Sequence, residues 1–257
     1  MTLPELFRKY HRPLFLKDDP LVVVRQFKGA DNLETAGLIA ATLSYGRVEQ
    51  INKSITTIFK ITGETPAIFI RETSFKEKKK AFAKFKHRFN DGDDVALMLE
   101  TLGRLRQEHG TLEGFFLKAY DETQPNIRPA LQAFSEGVRM TARKIGGHGK
   151  RTFDFLFPSP LSGSACKRLN MYLRWMVRKD DGVDLGVWKG VSTSKLVVPV
   201  DTHVAACGRK LKLTHRKNAD WKMAEEITES LKKYDPNDPV KFDFAICSAG
   251  KMAFRGR

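Results

Sequence analysis

The chain has 257 residues, 41% of them apolar, enough for one large domain or two small ones around a substantial core. Lys and Arg number 45 against 30 Asp and Glu, a formal charge of +15 that argues against a small neutral metabolite as the main partner and for a polyanion. Three cysteines, Cys166, Cys207 and Cys247, without a C-x-x-C pair, exclude a zinc knuckle and a four-cysteine iron–sulfur cluster and suit a reducing cytoplasm.

The first residues, MTLPELFRKYHRP, contain no apolar segment of signal-peptide length, and no window nears the roughly 18 apolar residues of a membrane span. A soluble, cytoplasmic protein is expected. Apolar positions recur at helical spacing, at Leu33, Ala36, Gly37, Ala40 and Leu43 and then at Ile51, Ile55 and Ile58, while period-two alternation is rare, which predicts an all-α fold. Asp31 and Asn32 are the capping candidates of a first helix that closes at Gly46, with Glu34 in its first turn, and a second runs from Arg47 to Ile61.

Further helices are predicted near 75–88, 93–109, 111–121 and 127–144, followed by a GGHGK loop at 146–150. The stretch FKEKKKAFAKFKHRF, residues 75–89, sets four phenylalanines among eight basic side chains and reads as an amphipathic helix with a solvated charged face. FDFLF at 153–157 is too short and too near Pro158 and Pro160 for more than an edge strand or one helical turn, with buried aromatics. A helix then carries an apolar stripe at Ala165, Leu169, Tyr172, Leu173 and Met176, with Lys167, Met171, Arg174 and Arg178 on the other face. KDDGVDLGVWKG, 179–190, lacks EF-hand spacing and reads as a connecting loop; helices follow from Asp201 to Leu213, Asp220 to Tyr234 and Pro239 to Met252.

Two short motifs stand out. In P-L-S-G-S-A-C-K, residues 160–167, a hairpin delivers Lys167 into the first turn of a helix; in V-P-V-D-T-H, residues 198–203, Asp201 opens another helix 34 positions after that lysine. An aspartate before a helix is ordinarily only an N-cap. Together, and in this order, the motifs resemble the helix-hairpin-helix DNA glycosylase superfamily, which includes endonuclease III and the 8-oxoguanine glycosylases. Gly163 matches the first glycine of the family's G-x-G-x-K hairpin, and Ala165 stands where the second is usual. The lysine-to-aspartate interval looks most like the archaeal-type 8-oxoguanine glycosylase/AP lyases, and the whole match resembles a bacterial branch of the superfamily.

The resemblance implies an all-α, two-lobed fold with an active-site cleft: a middle helical bundle, residues 31–178, ending in the hairpin, and a second lobe made of residues 1–30 and 179–257. It implies Lys167 and Asp201 as catalytic residues contributed from opposite sides. DNA contacts are implied for Gly163, Ser164, Arg168 and Arg174 and for the early turn, where Tyr45 or Arg47 would wedge into the duplex. Trp175, Trp188, Phe153 and Phe157 lie near the motifs in sequence and are candidates to hold an extruded base. His203 is read as structural and Cys166 as a small buried side chain. No cofactor is implied beyond a structural monovalent cation at the hairpin. The implied partner is double-stranded DNA containing a damaged base, bound by a monomer.

The chemistry suits these residue types. Breaking a glycosidic bond builds positive charge on the sugar, which a carboxylate stabilises, and a neutral amine that attacks C1′ forms a Schiff base through which the strand breaks. The positive end of a helix dipole favours the neutral form of an amine. The target must first leave the base stack. Two other readings stay open, a non-catalytic DNA-binding protein that keeps the hairpin and a basic RNA- or ribosome-associated protein.

Overall fold

The computed structural model describes residues 1–146 and 151–255. Helices dominate, and among the described residues the only sheet is a ribbon of two two-residue strands, Lys86–His87 antiparallel to Asn90–Asp91. The all-α expectation holds at this level. No described helix is long and apolar enough to cross a membrane. Of the predicted GGHGK loop, Gly146 ends the helix Arg128–Gly146, and residues 147–150 lie outside the described residues.

Contacts divide the chain into two compact units. One consists of residues 19–121 and 129–158, the other of residues 1–18, 122–128 and 159–257. This division differs from the expected one, because the hairpin and its helix group with the C-terminal helices rather than ending a middle bundle. The reason is visible in the bonds that hold them. Ser164 forms an isolated antiparallel bridge with Asp220, the Trp221 amide donates to the Gly163 carbonyl at 3.1 Å, and Arg174 reaches Asp184 and Asp243.

In the first unit, helices Ala30–Thr42, Val48–Thr62 and Gly92–His109 contribute fully buried Leu38, Ile39, Ile55, Ile58, Val95 and Met98 to the core. Capping departs from expectation at the first of these. Its N-cap is Gly29, with φ 82, so Asp31 falls in the first turn and pairs with Arg106, while Asn32 accepts from the Ala67 amide at 3.2 Å. Glu34 is buried and accepts the amides of Leu112 and Glu113 at 3.0 and 2.8 Å, so it caps the helix Leu112–Leu117 across the unit.

The basic stretch is helical only over Phe75–Phe82, N-capped by Ser74 in a capping box with Glu77. It ends because the next helix starts against it: a Cβ on Gly92 would lie 1.8 Å from the Phe82 carbonyl oxygen. Its face is not uniformly solvated, since Lys78 is 1% exposed and donates to the Ile70 carbonyl and Glu100 at 2.7 and 2.8 Å. The first four residues of FDFLF end the helix Arg151–Leu156 and Phe157 follows it, with Phe153 and Phe157 buried and Phe155 open.

The second unit packs helices Leu3–Tyr10, Lys167–Val177, Thr202–Lys210, Trp221–Lys232 and Asp243–Arg255 around buried Leu169, Trp175, Val204, Trp221 and Ile227. The helix Thr202–Lys210 packs on Asp243–Arg255, which also receives Leu3–Tyr10. The loop after Arg178 is more than a connection. Its Asp181 and Asp184 accept from Arg178, and Asp184 also accepts from Arg174 at 3.0 Å.

Candidate functional site

The hairpin is built by a short 3-10 turn, Pro160–Ser162, that Gly163 ends in the left-handed region with φ 81, where a Cβ would be strained. Ser164 Oγ accepts the Cys166 amide at 3.2 Å, and Cys166, itself left-handed at φ 45, sits at the N-cap. The Asn170 side-chain amide donates to the Ala165 carbonyl at 3.0 Å, closing the turn from the helix side. Lys167 is thereby the first residue of the helix Lys167–Val177, half-buried, with the amide dipoles running away from it.

Asp201 is the N-cap of Thr202–Lys210. Its Oδ1 accepts the amides of His203 and Val204 at 2.9 and 2.8 Å, which fixes its rotamer, while Oδ2 accepts from the Cys247 thiol at 3.9 Å. Capping therefore occupies one carboxylate oxygen and aims the other. His203 backs this helix against its neighbour: a Cβ on Gly250 would lie 3.0 Å from His203 Cβ.

Lys167 and Asp201 belong to the same compact unit, not to two halves of the chain. Arg174 lies seven residues after Lys167, two turns and roughly 10 Å along one helix face, and its guanidinium reaches Asp243 Oδ2 at 2.5 Å. Burial pushes the Asp243 carboxyl up to about 6; Arg174 opposes this, while the negative charges of Asp201 and Asp184 push further in the same direction. The negative charge of Asp201 thus acts on Asp243, the partner of Arg174.

Several expected roles are corrected. Arg174 is 3% exposed and paired with Asp184 and Asp243, so it cannot serve as a surface phosphate contact. Arg168 is buried too, on a helix whose residues 168–177 are all enclosed. What reads as a charged outer face is an inward one, because carboxylates distant in sequence meet it. Arg178 follows the same pattern, with Asp184, Asp181 and Asp238 around its guanidinium. For Asp181, burial acts to raise the carboxyl, but the His11 hydrogen bond at 2.8 Å and the Arg178 charge overcome it and hold the group well below the usual carboxylate range.

The base-pocket candidates are core residues. Trp175 and Trp188 are buried in the unit that holds Lys167, Trp188 edge-on to Tyr172 at 5.4 Å, and Phe153 and Phe157 are buried in the other unit. Gly163 is exposed and Ser164 partly so. Tyr45 is half-buried, its hydroxyl donating to the His87 carbonyl at 3.1 Å, whereas Arg47 is exposed at the N-cap of Val48–Thr62. Asp184, Asp238 and Asp243 give no sequence signal of their role as partners of Arg174 and Arg178, since two of them lie 69 and 60 positions from the arginines they meet.

Cys166, Cys207 and Cys247 are free thiols, and no group of three or more His, Cys, Asp or Glu poised to hold a metal occurs among the described residues. Over residues 19–252 the chain matches the model of a family described as "Protein of unknown function (DUF2400)". No curated protein and no solved structure matches it.

Proposed function

Because the chain belongs to the DUF2400 family, whose description names no activity, we propose from its own residues that it is a DNA base-excision glycosylase of the helix-hairpin-helix kind. In this reading the fold is the two-lobed one of that superfamily, the partner is duplex DNA with a damaged base, and the strand is nicked through a Schiff base on Lys167. 8-Oxoguanine is the lesion suggested by analogy. The carrying observation is the presence, within one unit, of a lysine opening a helix behind a glycine turn and of an aspartate whose rotamer is fixed by its own cap.

Each residue has a defined task. Asp201 stabilises the oxocarbenium-like sugar as the C1′–N bond lengthens, and it does so without reorganising because two amides already hold it. The Lys167 amine adds to C1′ as the base departs, and its surplus proton passes to a nearby acceptor, for which the Asp201 carboxylate is suited. The sugar ring then opens, the C1′–O4′ bond breaking as O4′ takes a proton, to leave the Schiff base, and loss of a C2′ proton lets the 3′ phosphate leave by β-elimination. Gly163 and Ser164 offer hairpin backbone to a phosphate without a bulky side chain in the way.

The test is a panel of duplexes, each with one oxidised, alkylated or deaminated base. At least one should be processed; Asp201→Asn should slow base release about 100-fold or more, and Lys167→Ala should abolish nicking. A folded wild-type protein that processes none of them, yet binds DNA in a salt-dependent way, would return the assignment to a binding module.

A further inference from the structure

The unit of residues 19–121 and 129–158 carries an aromatic cluster of which the glycosylase reading uses only the early turn, with Tyr45 or Arg47 as a wedge, and neither Phe89 nor Phe155. Phe89, in the turn of the ribbon, and Phe155, on helix Arg151–Leu156, are 42% and 40% exposed, with ring centroids 4.6 Å apart, edge to face. Tyr45 braces both from behind, stacked on Phe89 at 5.3 Å and edge-on to Phe155 at 5.0 Å. Its hydroxyl is held by the His87 carbonyl and by Asn90, and Asn90 in turn donates to the Thr152 carbonyl at 2.8 Å. The two rings are therefore fixed before any partner arrives.

The rim of this patch is cationic. Arg88, between the strands, is held at φ 56, a region that disfavours a residue with a Cβ, and its guanidinium lies 6.0 Å from the Tyr45 ring. Gly46 makes room for it: with φ 100, and with a Cβ that would meet the Arg88 side chain at 3.1 Å, the position suits only glycine. Arg47 and Lys86 are exposed beside these residues in sequence, and Arg151 is exposed one turn before Phe155 on the same helix. None of Arg47, Lys86, Arg88 and Arg151 is ion-paired among the described residues. Scattered exposed phenylalanines are ordinary, but two braced rings inside a group of unneutralised cations are a different object.

An apolar protein partner would satisfy the rings and leave four cations desolvated against nothing. A nucleobase attached to phosphates satisfies both, since every base has a π-face and its backbone supplies the anions. We propose that Phe89 and Phe155, with Arg88, form a stacking platform for an unpaired nucleobase of DNA, and that Arg47, Lys86 and Arg151 hold the phosphates beside it. The choice of DNA over RNA rests on the glycosylase reading; the stacking itself does not.

Fluorescence anisotropy with the full chain tests this, using a duplex with one bulged base, the same duplex fully paired, and a single-stranded RNA of matching sequence. Wild type should prefer the bulged duplex; Phe89→Ala with Phe155→Ala should weaken that complex about ten-fold or more while barely changing binding to paired DNA. Phe155→Trp, which keeps a π-face, should retain the preference and Arg88→Gln should reduce it, so the test survives if the double alanine variant fails to fold. Wild-type affinity for the bulged duplex in Arg88→Gln and in whichever alanine variants fold, or a preference for the RNA, would overturn the proposal. Borohydride trapping on an abasic duplex separates the two ideas: trapping without any platform effect sinks the platform alone, and a platform effect without trapping sinks the lysine chemistry alone.

Discussion

Asp243 is the residue that sequence reasoning passed over and on which the site's electrostatics turn. It is 2% exposed, bonded to Arg174 and within the field of Asp201, and its carboxyl is pushed up to about 6. A folded-state value above the unfolded one means that between about pH 4 and 6 the native protein holds a proton the unfolded chain has released, so this group's stabilising contribution is full below pH 4 and lost as the pH rises to 6. Denaturant unfolding of wild type and Asp243→Asn across that range should show a difference of stability with this slope, on the order of 2–3 kcal/mol in total. Parallel pH profiles would remove Asp243 from the account. Arg174 shows why a buried charge is hard to read: in a sequence it looks solvated until the carboxylates that neutralise it, 10 and 69 positions away, are placed beside it.

Helices were the more legible feature, because apolar spacing records which face is buried. Helix ends were less so. The first long helix is capped by Gly29 rather than Asp31, and the basic stretch stops at Phe82 because Gly92 brings the next helix against its carbonyl. The ribbon Lys86–Asp91 carries no Asn-Gly signal; its turn depends on Arg88 adopting a left-handed conformation that the surrounding rings and Gly46 impose. The turn before Lys167 and the Asp201 cap, by contrast, are closed by neighbouring groups, Ser164 and Asn170 in the one and the His203 and Val204 amides in the other, so their local form is legible in the sequence. The close approach of Gly250 to His203 then sets where the helix begun by Asp201 sits. Gly250→Val should cost about 1–3 kcal/mol by overpacking, read as a lowered denaturant midpoint, and should depress base release with little change in DNA affinity. Wild-type stability and activity in that variant would mean the helix pair tolerates separation and does not position the carboxylate.

For the molecule as a whole, the +15 charge is the strongest statement about partners, though part of the basic complement is spent internally on Asp181, Asp184, Asp238 and Asp243. The remaining surface cations should make duplex binding fall about 1,000-fold or more between 50 and 200 mM salt if six or more phosphates are engaged; affinity insensitive to salt would argue against a nucleic-acid surface. The family model spans most of the chain, residues 19–252, so both compact units belong to whatever the protein does. The most direct measurement is sodium borohydride trapping on a duplex bearing an abasic site or an excisable lesion, with peptide mapping of the adduct. The account predicts a covalent protein–DNA species carried on Lys167, absent in Lys167→Ala and much reduced in Asp201→Asn; an adduct mapped to another amine, or none at all from folded protein that binds the duplex, would contradict it.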